Sequence, residues 1–149
     1  MDAKYINLFL EAFGKTLEQF GVGGIKRINI KKKSKLYVDS DVSTIILLNG
    51  GIQGNIVLSM SQDTAKSLAS AMMMGMSVSV IDEMAKSAIG ELSGMIAGTS
   101  STMMASLGVA LHISPPMVIF EACDINLHET LAVDFESQIG KIEFNIGFV

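Results

Sequence analysis

Asp82-Glu83-Met84-Ala85-Lys86-Ser87-Ala88-Ile89-Gly90-Glu91-Leu92-Ser93-Gly94-Met95-Ile96-Ala97-Gly98 lies inside a helix-length segment, Ser79 to Leu107, that carries two different faces. On a 3.6-residue period, Ile81, Met84, Ala85, Ala88, Leu92, Met95, Ile96 and Met103 form one broad apolar stripe. A second stripe, well around the helix, runs Glu83, Ser87, Glu91, Gly94 and Gly98. It holds two acids, a hydroxyl and two glycines, and no large apolar side chain. A solvated helix face is ordinarily filled with long polar side chains. This one is bare around Glu91. The broad apolar stripe, in turn, demands another layer to cover it.

The flanking sequence supplies that layer. Residues 2–20 predict an amphipathic helix, with Ile6, Phe9, Leu10, Phe13, Leu17 and Phe20 on one side and Gly21 as its C-cap. From Ile25 the period changes to two: Ile28 and Ile30 alternate with polar residues, and Leu36 and Val38 keep the parity. Val42 to Leu48 is a β-branched, apolar strand, and Asn49-Gly50 suits a hairpin turn because both residues tolerate positive φ. In the return strand Ile52, Ile56, Leu58 and Met60 point one way, and Gln53, Asn55 and Ser59 the other. Ser61 caps a helix over 62–75, ended by Gly75, and the long helix follows over 80–107, closed by Gly108. Pro115-Pro116 stops helix formation and precedes a last β region, with strands near 117–122, 127–136 and 139–149. Half-apolar strands of this kind pair antiparallel with one face covered by helices. The fold class is therefore α+β: one domain over 1–149, with a largely antiparallel six-stranded sheet and helices packed on one face.

Composition narrows the function. The 149 residues are 49% hydrophobic and 17% charged, with net charge −4, eleven methionines and a single cysteine. Disorder is excluded, and the acidic balance argues against nucleic acid or an anionic membrane as partner. Cys123 has no internal disulfide partner, which fits a reducing compartment. No signal-peptide run and no stretch of 18 uninterrupted apolar residues is present, so a soluble, cytoplasmic chain is expected.

Most motifs have ordinary readings. Gly90, Gly94 and Gly98 each cost about 1 kcal/mol against alanine inside a helix. They indicate either tight helix–helix packing or a surface shaved so that a partner can approach Glu91. Ser87 and Glu91 could be a plain solvated pair, since a lone Glu makes a poor enzyme without a second polar group to position water. Lys31-Lys32-Lys33-Ser34-Lys35 reads as a charged strand edge or hairpin end. The glycine clusters at 21–24 and 50–54 lack the strand-to-helix context of a phosphate loop and are turns. His112 and His128 have no Cys or second His at ligand spacing, so no metal is expected. Met72-Met73-Met74, Met76 and Met103-Met104 read as flexible core filling, with a Met-rich binding groove as the alternative. Asn7-x3-Glu11-x2-Gly14 faintly echoes Ser87-x3-Glu91-x2-Gly94.

The run Asp82-Glu83-x-Ala85-x-Ser87-Ala88-Ile89-Gly90-Glu91-Leu92, continued by Met95-x-Ala97-Gly98 and Ile113-Ser114-Pro115-Pro116, resembles the CheX branch of the CheC/CheX/FliY phosphatases. Gly50-Gly51-Ile52-x-Gly54 and Ala71-Met72-Met73-x-Gly75-Met76 resemble the same branch in order and spacing. The resemblance implies a chemotaxis protein that binds a phosphorylated CheY-type receiver domain and hydrolyses its aspartyl phosphate. It implies a homodimer, no cofactor on this chain, and Mg²⁺ on the receiver. The family motif is Asp or Ser, three residues, Glu, two residues, Asn, with a proline some twenty residues on. Ser87, Glu91 and Pro116 match it, and Glu83 and Gly98 lie on the same face. The Glu engages the receiver's active-site lysine, and the Asn orients the attacking water. Here the Asn position is Gly94. By analogy with removing one preorganised donor, its loss costs on the order of 10²–10³-fold in rate. Ser93 points about 100° away around the helix and is a poor substitute. Enzymatic activity is thus left open between a weak phosphatase and a non-catalytic receiver-binding or dimerisation module. The faint echo at Glu11 fits the two motif copies of the CheC branch.

Overall fold

The structure is a computed structural model that describes residues 2–126 and 129–148. Its elements run α1 (Ala3–Gln19), β1 (Lys26–Lys33), β2 (Leu36–Val38), β3 (Val42–Gly50), β4 (Gly54–Met60), α2 (Gln62–Met72), α3 (Glu83–Ala105), β5 (Leu111–Ile113), β6 (Met117–Ile119), β7 (Cys123–Asn126), β8 (Thr130–Glu136) and β9 (Ile142–Phe148). The expected start of a strand at 127 and the isolation of His128 lie outside the described residues.

The main sheet has seven strands in the order β1-β8-β9-β4-β3-β5, with β6 also on β3, and every pairing is antiparallel. β5 and β6 share one edge of β3 and are the two halves of an interrupted edge strand. The register moves by one residue between Leu48↔Ile113 and Ile45↔Met117. The interruption is Ser114-Pro115-Pro116. Proline has no N–H to donate to a ladder, so the prolines cannot continue the pairing. Ser114 holds the gap, its Oγ accepting from Leu47 N at 2.8 Å and its N donating to Leu47 O at 3.0 Å.

The helices cover one face of the sheet. Phe9, Phe13 and Leu17 of α1, Leu68 of α2 and Ile89, Leu92 and Ile96 of α3 are fully buried against Ile46, Ile56, Leu58, Phe144 and Ile146. Phe13 sits 4.6 Å from Phe135 and 5.4 Å from Phe144, centroid to centroid. Burying side chains of this size supplies the main favourable energy of the fold, about 1.5–3 kcal/mol each. α3 packs between α1 and α2 and lies over β3, β5 and β6.

The structure departs from the sequence reading in several places. The sheet has seven strands where six were expected, because β5 precedes the proline pair that was read as the start of the last β region. Asn49-Gly50 is the end of β3 and not the hairpin turn, since β5 pairs with residues 48–50 and extends the strand. The connection to β4 is correspondingly longer. Ile28 and Ile30 are exposed, as β1 is an edge strand. Lys31, Lys32 and Lys33 lie on that edge, as the lysine run suggested. Leu36 and Val38 do not continue β1. They belong to β2, which pairs with β7 in a two-stranded ribbon and packs with Val57, Ile45 and Ile119 on the sheet's other face. Polar residues on that other face are therefore buried rather than solvated. Ser43 and Ser59 hydrogen-bond at 2.9 Å, and Asn145 Nδ2 donates to Glu143 Oε1 at 3.1 Å. Lys33 Nζ lies 3.0 Å from the same Glu143 oxygen. Burial pushes the Glu143 carboxyl upward, but hydrogen bonds from Lys33 and Asn145 and the charges of Lys33 and Lys31 outweigh it. The net shift is below the ordinary 4.5.

Candidate functional site: the exposed face of the long helix

α3 begins where the sequence supplies a cap: Asp82 Oδ1 accepts from Ala85 N at 2.9 Å. Glu83 in the first turn is favourably placed against the positive end of the helix dipole. From there the sequence pattern sets the face. Ala85, Ala88, Ile89, Leu92, Ser93, Ile96 and Ala97 are buried, and Glu83, Ser87 and Glu91 are exposed. Neither Ser87 nor Glu91 makes a side-chain hydrogen bond or ion pair among the described residues. The buried stripe differs from expectation at one end. Met84 is exposed, while Ser93 and Ser100 are fully buried.

Two grooves flank the exposed acids. One, about 240 Å³, is lined by Glu83, Lys86, Ser87, Gly90, Pro116 and Val118. Lys86 is held there, its ammonium 5.7 Å from the centre of the Phe120 ring. The other, about 470 Å³, is lined by Met72, Met73, Glu83, Met84, Ser87, Ala88 and Glu91. The structure thus brings Glu83, Ser87, Glu91 and Pro116 to one surface. Pro116 reaches it because the bulge between β5 and β6 lies against α3.

The three glycines divide by environment. A Cβ on Gly90 would meet Val118 Cγ2 at 3.4 Å and Pro116 Cγ at 3.5 Å, so here the helix packs against the edge strand rather than another helix. A Cβ on Gly94 or Gly98 would meet nothing within 4 Å. Tight helix–helix packing therefore explains none of them, and the bare surface at Gly94 and Gly98 is real. Ser93 is turned away from this surface. Its Oγ accepts from Thr44 Oγ1 at 2.9 Å, deep between helix and sheet.

A carboxylate and a hydroxyl, both unpartnered and exposed beside an open notch, can meet charged groups on another macromolecule. They form no enclosed pocket for a small substrate. A larger groove of about 700 Å³ lies elsewhere, at the Asn49–Asn55 connection with His112 and Ser114. It contains none of Glu83, Ser87, Glu91, Gly94, Gly98 and Pro116. Among the described residues, no three His, Cys, Asp or Glu side chains cluster as metal ligands, and no helix is long and apolar enough to cross a membrane.

This α+β architecture, with helices on one face of the sheet, recurs in solved structures of the CheC-like superfamily. A CheC-like superfamily protein from Shewanella sp. PV-4 superimposes with a TM-score of 0.88 at 21% identity, covering 100% of this chain and 99% of that one. The CheX–CheY–BeF3–Mg²⁺ complex from Borrelia burgdorferi matches with a TM-score of 0.73 at 25% identity, over 97% of each chain. In sequence, residues 42–134 match the family described as chemotaxis phosphatase CheX. The Thermotoga maritima CheY-P phosphatase CheX is 36% identical over 121 residues, 80% of this chain and 77% of that protein. The chain belongs to the CheX family.

Proposed function

We propose that this chain binds a phosphorylated CheY-type receiver domain through the Ser87–Glu91–Gly94 face of α3 and hydrolyses its aspartyl phosphate slowly. The observation that carries the reading is the exposed, unpartnered Glu91 beside an open Gly94, in a chain of the CheX family. The Borrelia relative forms a complex with CheY carrying BeF3 and Mg²⁺, and the Thermotoga relative is a CheY-P phosphatase. In the proposed complex Glu91 meets the receiver's active-site lysine, Ser87 and Glu83 flank it, and Pro116 and Gly98 bound the contact surface. Mg²⁺ belongs to the receiver, and this chain brings no cofactor. Phosphoryl transfer depends on positioning and charge stabilisation, so Glu91 can orient the partner while water at Gly94 goes unheld.

A second reading, a receiver-binding module without chemistry, is favoured by the burial of Ser93. The neighbouring hydroxyl of Ser93 is turned toward Thr44 and does not replace the missing side chain at residue 94. Glu91→Ala separates both readings from a face of no consequence: it should weaken binding to a receiver carrying beryllofluoride and Mg²⁺ by tenfold or more, about 1.4 kcal/mol. Unchanged affinity and turnover would remove Glu91 from the site. We further propose that the chain acts in the cytoplasm as one CheX-like domain and pairs as a homodimer. The exposed Leu47 and Met117 beside the β3–β6 edge support pairing through that region.

A further inference from the structure

The three helices end in the same way, and one of the three closures is strained. Val22 N donates to Leu17 O, Gly75 N to Ser70 O and Val109 N to Met104 O, at 3.1, 2.8 and 3.0 Å. This closure places the residue before the donor in the left-handed region. After α1 and α3 that residue is Gly21 (φ +76°) and Gly108 (φ +80°). After α2 it is Met74 (φ +59°). A side chain is strained there, and glycine avoids the strain. The helix-end hydrogen bond holds the backbone there, but the Met74 side chain gains no packing, being 98% exposed. Strained backbone positions of this kind cluster at functional sites.

The surroundings of Met74 are apolar and open. Met76 is 60% exposed and Met84 63%, against a typical core methionine such as Met104 at 0%. Met84 lines a groove together with Met72, Met73, Ala88, Glu83, Ser87 and Glu91, and Met74 and Met76 follow Met72 and Met73 directly in the chain. A protein surface that reaches Ser87 and Glu91 must cover this groove, because the same side chains form its wall. We propose that Met74, Met76 and Met84 form an apolar rim that docks the receiver domain beside its phosphorylation pocket, contributing affinity independent of the phosphoryl group. The inference rests on the receiver reading of the Ser87–Glu91 face. Methionine suits the task, being flexible enough to pack on an irregular surface.

The test is calorimetric titration of the full chain with CheY-type receivers from the same genome, each with and without beryllofluoride and Mg²⁺. The triple substitution Met74→Ser, Met76→Ser, Met84→Ser should raise Kd about tenfold for both receiver states, leaving their ratio unchanged. Glu91→Ala should instead change the ratio. Met74→Gly alone should raise Tm by about 2–4 °C while weakening receiver binding several-fold. A wild type that binds a receiver, with Kd unmoved by the triple substitution, would overturn the rim and leave the Glu91 reading standing. A wild type that binds no receiver would overturn both. If the triple variant dissociated a dimer in sedimentation without altering receiver affinity, the rim would belong to a second copy of this chain, and the proposal would fall.

Discussion

Ser93 and Gly94 are adjacent in sequence, and their environments contrast, one buried and one open. Ser93 is buried with its hydroxyl accepting from Thr44, so Ser93→Ala should leave the Thr44 hydroxyl unpaired. A loss of about 1–3 kcal/mol in urea unfolding is expected, with no change in receiver affinity. Gly94 stands in open space, so Gly94→Ala should stabilise the helix by about 1 kcal/mol by the same measurement. Destabilisation instead would mean that the notch is filled in the folded protein. The face itself was legible in the sequence, because a lone carboxylate among glycines and serines departs from an ordinary solvated stripe. The strain at Met74 was not. Gly75 stands next to it and reads naturally as the helix stop, and only the dihedral angles show that the left-handed position falls one residue earlier.

Among the elements, helices were more legible than strands. The cap at Ser61 and the glycines at 21 and 108 mark helix ends by local chemistry, and the structure places them there, whereas the long helix, expected from 80, starts at Glu83 behind the Asp82 cap. A period of two shows that a strand exists but not which sheet it joins. Leu36 and Val38 keep parity with Ile28 and Ile30, yet one pair is buried under a separate ribbon and the other is exposed at an edge. β5 escaped notice because it is three residues long and its pairing depends on β3, distant in sequence. The polar residues of β4 and β9 read as solvated, whereas Ser59 and Asn145 are buried on the ribbon side. The β1–β9 contact there has a pH signature. Because the folded Glu143 carboxyl is held below 4.5, its ion pair stabilises the protein at pH values above that. The stability is lost as pH falls through the folded value. Glu143→Gln should therefore lower the urea midpoint near neutrality and flatten its decline in acid. A parallel decline in both proteins would place the acid sensitivity elsewhere. In α1, Phe13 is wedged between Phe135 and Phe144, and Phe13→Ala should cost about 3–5 kcal/mol. A cost below about 1 kcal/mol in the same unfolding measurement would show that the aromatic cluster is not central to the core.

At the scale of the whole molecule, a sheet with helices on one face holds α3 rigidly while leaving one stripe of it uncovered. β5 and β6, split by Ser114-Pro115-Pro116, bring Pro116 alongside that stripe, and the end of α2 brings the methionines to its other flank. Membership of the CheX family supports the proposed receiver contact at this surface, and residue 94 carries no side chain to orient water. The most direct measurement is phosphate loss from CheY-type receivers of the same genome in Mg²⁺, alone, with the wild-type chain, and with Gly94→Asn. The expected result is modest acceleration by the wild type and a further increase on the order of 10²–10³-fold by Gly94→Asn. Full acceleration by the wild type that Asn at residue 94 does not improve would contradict a degenerate site, and indifference of every receiver to both proteins would contradict receiver recognition itself.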